Sequence, residues 1–337
     1  MTDQATIWLP NAETTASAGA SLARTLYTLP VTIGLKGELG AGKTTFLQGL
    51  AKGLGITSRI TSPTFALEQR YQTEHFGEFL HLDLYRLTEN EAGELVAGSA
   101  ENNGVRCIEW ADRSAAVLAE CSIVISLAEN PPHTGRILEV TYRDAAIPSR
   151  EDVLTWRREL KLPELIGKHS DAVAAVCESL GEHLLKRSKL LRPMLLKRSA
   201  ELHDLLRFVD FHPQHPKLFD PPTDAQHQLW ESWKRRYPGM IHEAAAAAFL
   251  RERGFPAIAK VIETHGLRVP PHVHTTIEQI LLFYADKRVK LDQIVSLQER
   301  FDDFAHRYGN DRIEESKLWL RQSKEIEREL FEGAPPV

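Results

Sequence analysis

The stretch VTIGLKGELGAGKTTFLQGL, residues 31–50, decides the fold of the first half of this chain. Val31–Lys36 reads as a strand running into a glycine-rich turn. Gly37-Glu38-Leu39-Gly40-Ala41-Gly42-Lys43-Thr44 fits G-x-x-x-x-G-K-[ST] at every fixed position. Thr44–Leu54 then reads as a helix, because Phe46, Leu47 and Leu50 are spaced to bury one face. Glycines in such a turn let backbone N–H groups curl around phosphate oxygens. Lys43 adds a point charge for the β and γ phosphates, the Thr44 hydroxyl is a ligand for Mg²⁺, and the helix N-terminus adds its positive dipole end. A chance glycine turn is the competing explanation. The strand before the turn and the helix after it weigh against chance.

Outward from this loop, strand signals recur. Thr6–Leu9, Phe65–Tyr71, Phe79–Leu84, Val105–Glu109, Ser122–Leu127 and Arg136–Tyr142 read as strands, and an Ala-rich helix capped at Asn11 or Thr14–Thr15 runs to about Leu26. The last two strands flank AENPPHTG, which suits a hairpin. The pattern predicts an α/β domain with a largely β centre. It changes at Asp144–Arg150, where Pro148 and Ser149 mark a break. Beyond it helical spacing dominates: Ala172–Leu185, Met194–Phe208, His242–Glu252, Pro256–Thr264, Thr276–Asp286, Leu291–Tyr308 and a charged tail helix, Arg312–Phe331. The stretch His212–Pro238 reads as the main interruption. Two domains are expected, 1–147 and 148–337, the first α/β and the second all-α.

Composition divides at the same place. The 337 residues carry a formal net charge of −5, and only three of 14 histidines (His75, His81, His133) precede residue 150. The first 150 residues hold 12 Lys and Arg against 17 Asp and Glu, and the remainder hold 29 of each. That acidic balance favours a protein partner over bare RNA for the first half. Three scattered cysteines exclude a disulfide framework. No apolar run approaches the roughly 20 residues that span a bilayer, so no membrane role is expected. The start has no basic, apolar leader, and the expected location is cytoplasmic.

Four segments in order, GELGAGKTTF, SPTF (Ser62–Phe65), HLDLYRL (His81–Leu87) and IEWADR (Ile108–Arg113), resemble the TsaE family. That family is the P-loop ATPase component of the machinery making N6-threonylcarbamoyladenosine at position 37 of certain tRNAs. The resemblance covers about 5–145. It implies ATP with Mg as cofactor, held by Glu38, Leu39, Gly40, Ala41, Gly42, Lys43, Thr44, Thr45 and Trp110. It implies Mg²⁺ at Thr44 and Glu109, Asp83 orienting water or the metal shell, and Thr64 sensing nucleotide state. Glu109 and Asp83 would be the catalytic carboxylates. The partner it implies is the TsaB–TsaD pair, with tRNA reached only through it. His81 reads as structural, and Tyr85 and Arg86 read equally well as core and surface positions.

The second half carries His169, His203-Asp204, His242, His265 and Asp286. Imidazole and carboxylate donors suit Mn, Fe, Zn, Ni or Mg. Each of these residues is expected in a helix or at a helix end, so converging helices would bring them to one cavity, as in metal-binding bundles. A metal there can activate water for attack on phosphorus. The segments Gly167–Leu184, Ser199–Phe211, Ile241–Gly266 and Leu281–Gly309 resemble the HD superfamily of metal-dependent phosphohydrolases. The resemblance implies His169, His203, Asp204 and Asp286 as a mononuclear set, His242 and His265 as additions for a second metal, and a nucleotide or phosphoester substrate. Asp204 would also be catalytic. After His203-Asp204 the chain reads Leu205-Leu206-Arg207, where many relatives have a Gly or Ala and a Lys. Arg207, one turn past His203 and counted with the catalytic residues, could replace that Lys as a phosphate contact. It stays protonated and cannot act as an acid. The alternative is a non-hydrolytic nucleotide-sensing or regulatory module controlling the ATPase. His212, His215, His227, His272 and His274 read as surface or supporting residues. The basic run Lys186–Arg198 reads as a solvated face, or as a rim attracting a phosphorylated substrate or tRNA.

Overall fold

The computed structural model describes residues 2–130, 134–211, 222–308 and 313–337. The chain forms two compact units. One comprises Thr2–Ala145 and Leu184–Arg192, the other Ala146–His183 and Pro193–Val337.

The first unit contains strands β1 (Asp3–Leu9), β2 (Val31–Lys36), β3 (Glu68–Gln72), β4 (Glu78–Asp83), β5 (Val105–Glu109), β6 (Ile123–Glu129) and β7 (Arg136–Tyr142), with helices α1 (Ala12–Leu22), α2 (Lys43–Gly53), α3 (Glu89–Gly98) and α4 (Ala115–Glu120). The strands form one sheet in the order β1-β7-β6-β2-β5-β4-β3. The four central strands are parallel, and β1, β7 and β3 run antiparallel to their neighbours. Burial on both faces explains the apolar run of β2, whereas β1 alternates buried and exposed along its whole length. Local chemistry sets the helix starts. Asn11 with Thr14 and Thr88 with Glu91 form reciprocal capping boxes at α1 and α3.

Leu184–Arg192, which the sequence pattern places with the helical half, packs inside this unit. Leu190 is fully buried in its apolar core. Arg192 is fully buried too, and its guanidinium donates to both Asp144 carboxylate oxygens at 2.7 and 2.8 Å and to the Thr25 carbonyl at 2.9 Å. The run Lys186–Arg198 is therefore not one solvated basic face. Arg198 is buried as well, paired with Glu201 at 2.7 Å, while Lys189 reaches the Ser17 hydroxyl at 2.6 Å. A buried guanidinium persists only when paired and fully hydrogen-bonded.

The second unit contains α5 (Arg150–Glu159), α6 (Glu164–Lys186, whose last residues enter the first unit), α7 (Pro193–Leu202), α8 (Asp224–Arg236), α9 (His242–Glu252), α10 (Pro256–Ile262), α11 (Ile277–Asp286), a two-stranded hairpin β8 (Val289–Lys290) and β9 (Gln293–Ile294), α12 (Leu297–Tyr308) and α13 (Ile313–Phe331). Three expectations change here. The helix expected over Met194–Phe208 stops at Leu202, because the chain tightens into i to i+3 turns, Leu205 N–H to Leu202 O at 3.1 Å and Arg207 N–H to Asp204 O at 3.0 Å. The helix expected from Leu291 starts at Leu297. Leu291 has a left-handed backbone (φ 57°) in the hairpin turn, which a helix cannot contain. The interruption expected over His212–Pro238 holds α8, started by a Thr223–Gln226 capping box and anchored by Trp230, which stacks on Phe208 and donates to the Leu160 carbonyl at 2.9 Å. His133, His212 and His215 lie outside the described residues. No helix among the described residues is long and apolar enough to cross a membrane.

Candidate functional sites

In the first unit the loop before α2 is shaped by glycine. Gly42, at the helix N-cap, has φ 101°, and a Cβ on Gly37 (φ 140°) would lie 2.2 Å from the Leu127 carbonyl oxygen. With no side-chain cap on α2, its first-turn N–H groups are left for an anion. Lys43 is buried and donates to the Gly37 and Glu38 carbonyls at 2.7 and 3.0 Å, with its ammonium 3.6 Å from the centre of the Trp110 ring. Burial lowers its pKa, against the opposing pull of Glu109, Asp112 and Asp83. Leu39 is exposed at the loop tip, and Thr45 lies half-buried beside Thr44 in the first turn of α2.

Parallel pairing places the carboxylates. Asp83 and Glu109 are register partners at the C-terminal ends of β4 and β5, and Leu35 of β2 faces Glu109 from the other side. Ligand sites in parallel sheets lie at such strand ends. The Thr44 hydroxyl donates to the Glu109 carboxylate at 2.8 and 3.1 Å. Asp83 accepts the Ser62 and Thr64 hydroxyls at 2.8 and 2.7 Å and the Tyr85 N–H at 2.9 Å. The structure thus joins Thr64 to Asp83 and Thr44 to Glu109. Trp110 follows Glu109 in a left-handed conformation (φ 59°) and packs on Tyr85 at 4.9 Å between ring centres.

Two residues of this site go beyond the sequence reading. His81 Nε2 lies 2.9 Å from Glu109 Oε1, inside the core, so this histidine orients the carboxylate. Its position two residues before Asp83 on one strand was the available signal, since residues i and i+2 share a face. Arg136 donates to the Gly40 carbonyl at 2.8 Å across a separation of 96 residues, and no local pattern announces that.

In the second unit all six expected ligand residues converge. His169 lies on α6, His203 and Asp204 follow the last residue of α7, His242 opens α9, His265 follows α10, and Asp286 closes α11. His169 Nε2 is 3.1 Å from Asp286 Oδ1, and His203 Nε2 is 3.8 Å from that same oxygen and from Asp204 Oδ2. A second set surrounds the other Asp204 oxygen: Oδ1 is 3.1 Å from His242 Nε2 and 3.7 Å from His265 Nε2, and these nitrogens are 3.2 Å apart. Metal bonds of about 2.0–2.2 Å put neighbouring ligand atoms roughly 3–3.5 Å apart, so both sets have cation-sized spacing.

The tautomers are set locally. His203 and His265 each donate Nδ1–H to the carbonyl three residues back, Ala200 O at 2.7 Å and Ile262 O at 2.5 Å. Both carbonyls lie in the last turn of a helix, and the Ile262 carbonyl also accepts the His265 backbone N–H at 3.3 Å. His169 donates to Leu291 O at 2.7 Å in the hairpin turn, and His242 donates to Asp210 at 2.5 Å. Each Nε2 therefore presents a lone pair, as a ligating imidazole requires. His203 Nε2 is buried with no hydrogen-bond partner, and burial pushes this imidazole down to about 3. Burial alone would raise Asp204 and Asp286, but interactions with His203, Arg207, His242 and His265 for one, and with Lys287 and His169 for the other, outweigh it and hold both carboxyls well below the usual range. The donor set fits a divalent cation. Arg207 lies at the edge of the second set, with Nη1 2.9 Å from both nitrogens of His242. Of the other histidines, His227 is exposed and His274 donates to the Thr264 carbonyl at 3.2 Å.

Asp210 carries no sequence signal, yet it accepts both the backbone N–H of His242 at 3.0 Å and the imidazole Nδ1–H. Asp210→Asn keeps the shape but lets the amide donate to Nδ1, which moves the proton to Nε2. We expect metal affinity at the second set to fall about 10- to 100-fold, as read by calorimetric titration with Mn²⁺, with the first set unchanged.

The family model for threonylcarbamoyl adenosine biosynthesis protein TsaE matches residues 9–137. A Nostoc sp. protein, described as tRNA threonylcarbamoyladenosine biosynthesis protein TsaE, is 46% identical over 117 residues, which is 33% of this chain and 71% of the relative. The Treponema pallidum protein of the same description is 42% identical over 123 residues, 35% of this chain and 86% of the relative. The crystal structure of Bacillus subtilis YdiB aligns with 42% of this chain and 87% of its own, at 26% identity and a TM-score of 0.34. By its first 137 residues, this chain belongs to the TsaE family.

Proposed function

We propose that residues 1–147 form the ATP-hydrolysing component of tRNA N6-threonylcarbamoyladenosine synthesis. The observation that carries this reading is the meeting of the phosphate loop, Thr44 and Glu109 inside a segment matched by the TsaE family model. Phosphoryl transfer asks a protein mainly for positioning and charge. A bound magnesium ion would neutralise phosphate charge, with Thr44 and Glu109 as its holders. Lys43 exchanges its two loop carbonyls for phosphate oxygens, His81 keeps Glu109 turned toward Thr44, and Asp83 keeps Ser62 and Thr64 on the strand-end side of the site. The TsaB–TsaD pair is the partner, and tRNA is reached through it. Expression in a bacterial strain lacking its own TsaE should restore the modified nucleoside, measured by mass spectrometry of digested tRNA. A protein that neither binds ATP·Mg nor restores the nucleoside would overturn the reading.

We propose further that residues 148–337 form an HD-type phosphohydrolase acting on a nucleotide or phosphoester. The supporting observation is the double set of ligand atoms sharing Asp204. When bound, a divalent ion there supplies water activation and charge neutralisation. His169, His203, Asp204 and Asp286 would hold one ion, and Asp204, His242 and His265 a second. Arg207, about one-third exposed at the edge of the second set, would turn from His242 toward a phosphate once a cation is bound. Release of phosphate from a nucleotide panel with Mn²⁺ tests this. A chain that binds no divalent metal would sink it.

A further inference from the structure

Besides Asp210, Glu243 is an acidic residue beside the second set that the histidine–aspartate pattern does not contain. It is 6% exposed, and its Oε2 is buried with no hydrogen-bond partner. That oxygen lies 3.2 Å from His242 Nδ1, but the single proton on Nδ1 goes to Asp210 at 2.5 Å. No lysine or arginine among the described residues pairs with Glu243. The neighbouring cations are engaged elsewhere: Arg207 beside His242 and Asp210, and Lys287 on Asp286 and the His265 carbonyl. A carboxylate oxygen buried without a partner is costly.

Its placement is built in. A Cβ at Gly266 would fall 1.6 Å from Glu243 Oε1, so only a glycine after His265 leaves room for this carboxylate. One nitrogen from each of His242 and His265 and one Glu243 oxygen all lie within 4.8 Å of one another. We infer that Glu243 is a ligand of the second metal position, completing a four-donor set with Asp204, His242 and His265. The inference rests on the reading that this unit holds divalent ions. Two imidazoles with two carboxylates make a harder donor set than a histidine-rich one. The second position therefore suits Mn²⁺ or Fe²⁺.

The test needs no substrate. The full chain is stripped with chelator, then titrated with Mn²⁺ and followed by calorimetry and electron paramagnetic resonance. Wild type takes up two ions whose spins couple through Asp204. Glu243→Gln keeps one tight ion, binds the second at least about 10-fold more weakly, and shows an uncoupled six-line signal at one equivalent. Gly266→Ala does the same without removing any donor atom, because its Cβ displaces a flexible carboxylate. It also serves if Glu243→Gln fails to fold. Two-ion uptake and coupling unchanged in a folded Glu243→Gln or Gly266→Ala protein overturns the inference and leaves the metal reading standing. Wild type that binds no Mn²⁺ overturns both.

Discussion

Asp204→Ala is expected to abolish both metal positions at once and to reduce phosphate release by the helical unit by about 10³-fold. Asp204 alone places an oxygen in each set, Oδ2 near His203 and Oδ1 near His242 and His265. Loss of any one histidine leaves the other set whole, whereas loss of Asp204 breaks both. Metal analysis of the purified variant should find no bound Mn²⁺, and its circular dichroism should match wild type. ATP hydrolysis by the first unit should be unchanged. Retention of a full ion at either set would show that Asp204 is not shared. If wild type binds nucleotides with its metals in place yet releases no phosphate, the helical unit is a sensor.

Lys43→Ala is expected to lower ATP hydrolysis by about 10²–10³-fold, comparable to removing one well-placed donor from a charged transition state. The ammonium is held within the loop by two carbonyls and the Trp110 ring, so it is already at the phosphate site before any ligand arrives. Steady-state ATPase assays with and without TsaB–TsaD measure this, and the variant should also fail to restore the modified nucleoside in cells. Metal content and phosphate release at the helical unit should match wild type. Retained ATPase activity in the variant would remove Lys43 from the mechanism.

Local patterns carried much of this molecule. Val31–Lys36, Val105–Glu109 and Arg136–Tyr142 are strands with the very ends their apolar spacing predicts, and His242–Glu252 is a helix with the expected limits. Periodicity succeeded where one segment's burial settles its conformation. It failed where a remote contact decides. α8 forms in the expected interruption because Trp230 finds Phe208, and the expected helix from Leu291 is delayed because the hairpin of β8 and β9 takes its first residues. The basic run around Arg192 reads as surface until Asp144, 48 residues away, is seen to neutralise it.

By itself the sequence determined the glycine-rich loop, the α/β-then-helical order and the residue types of the two histidine–aspartate clusters. Loop dihedrals, capping and helical spacing depend on neighbours a few residues apart. Only the tertiary structure decided that Asp204 lies between two sets, that His81 holds Glu109, that Asp210 fixes the His242 tautomer, and that Gly266 makes room for Glu243. Those roles depend on which atoms of distant segments come within about 3 Å, the range over which hydrogen bonds and metal bonds act.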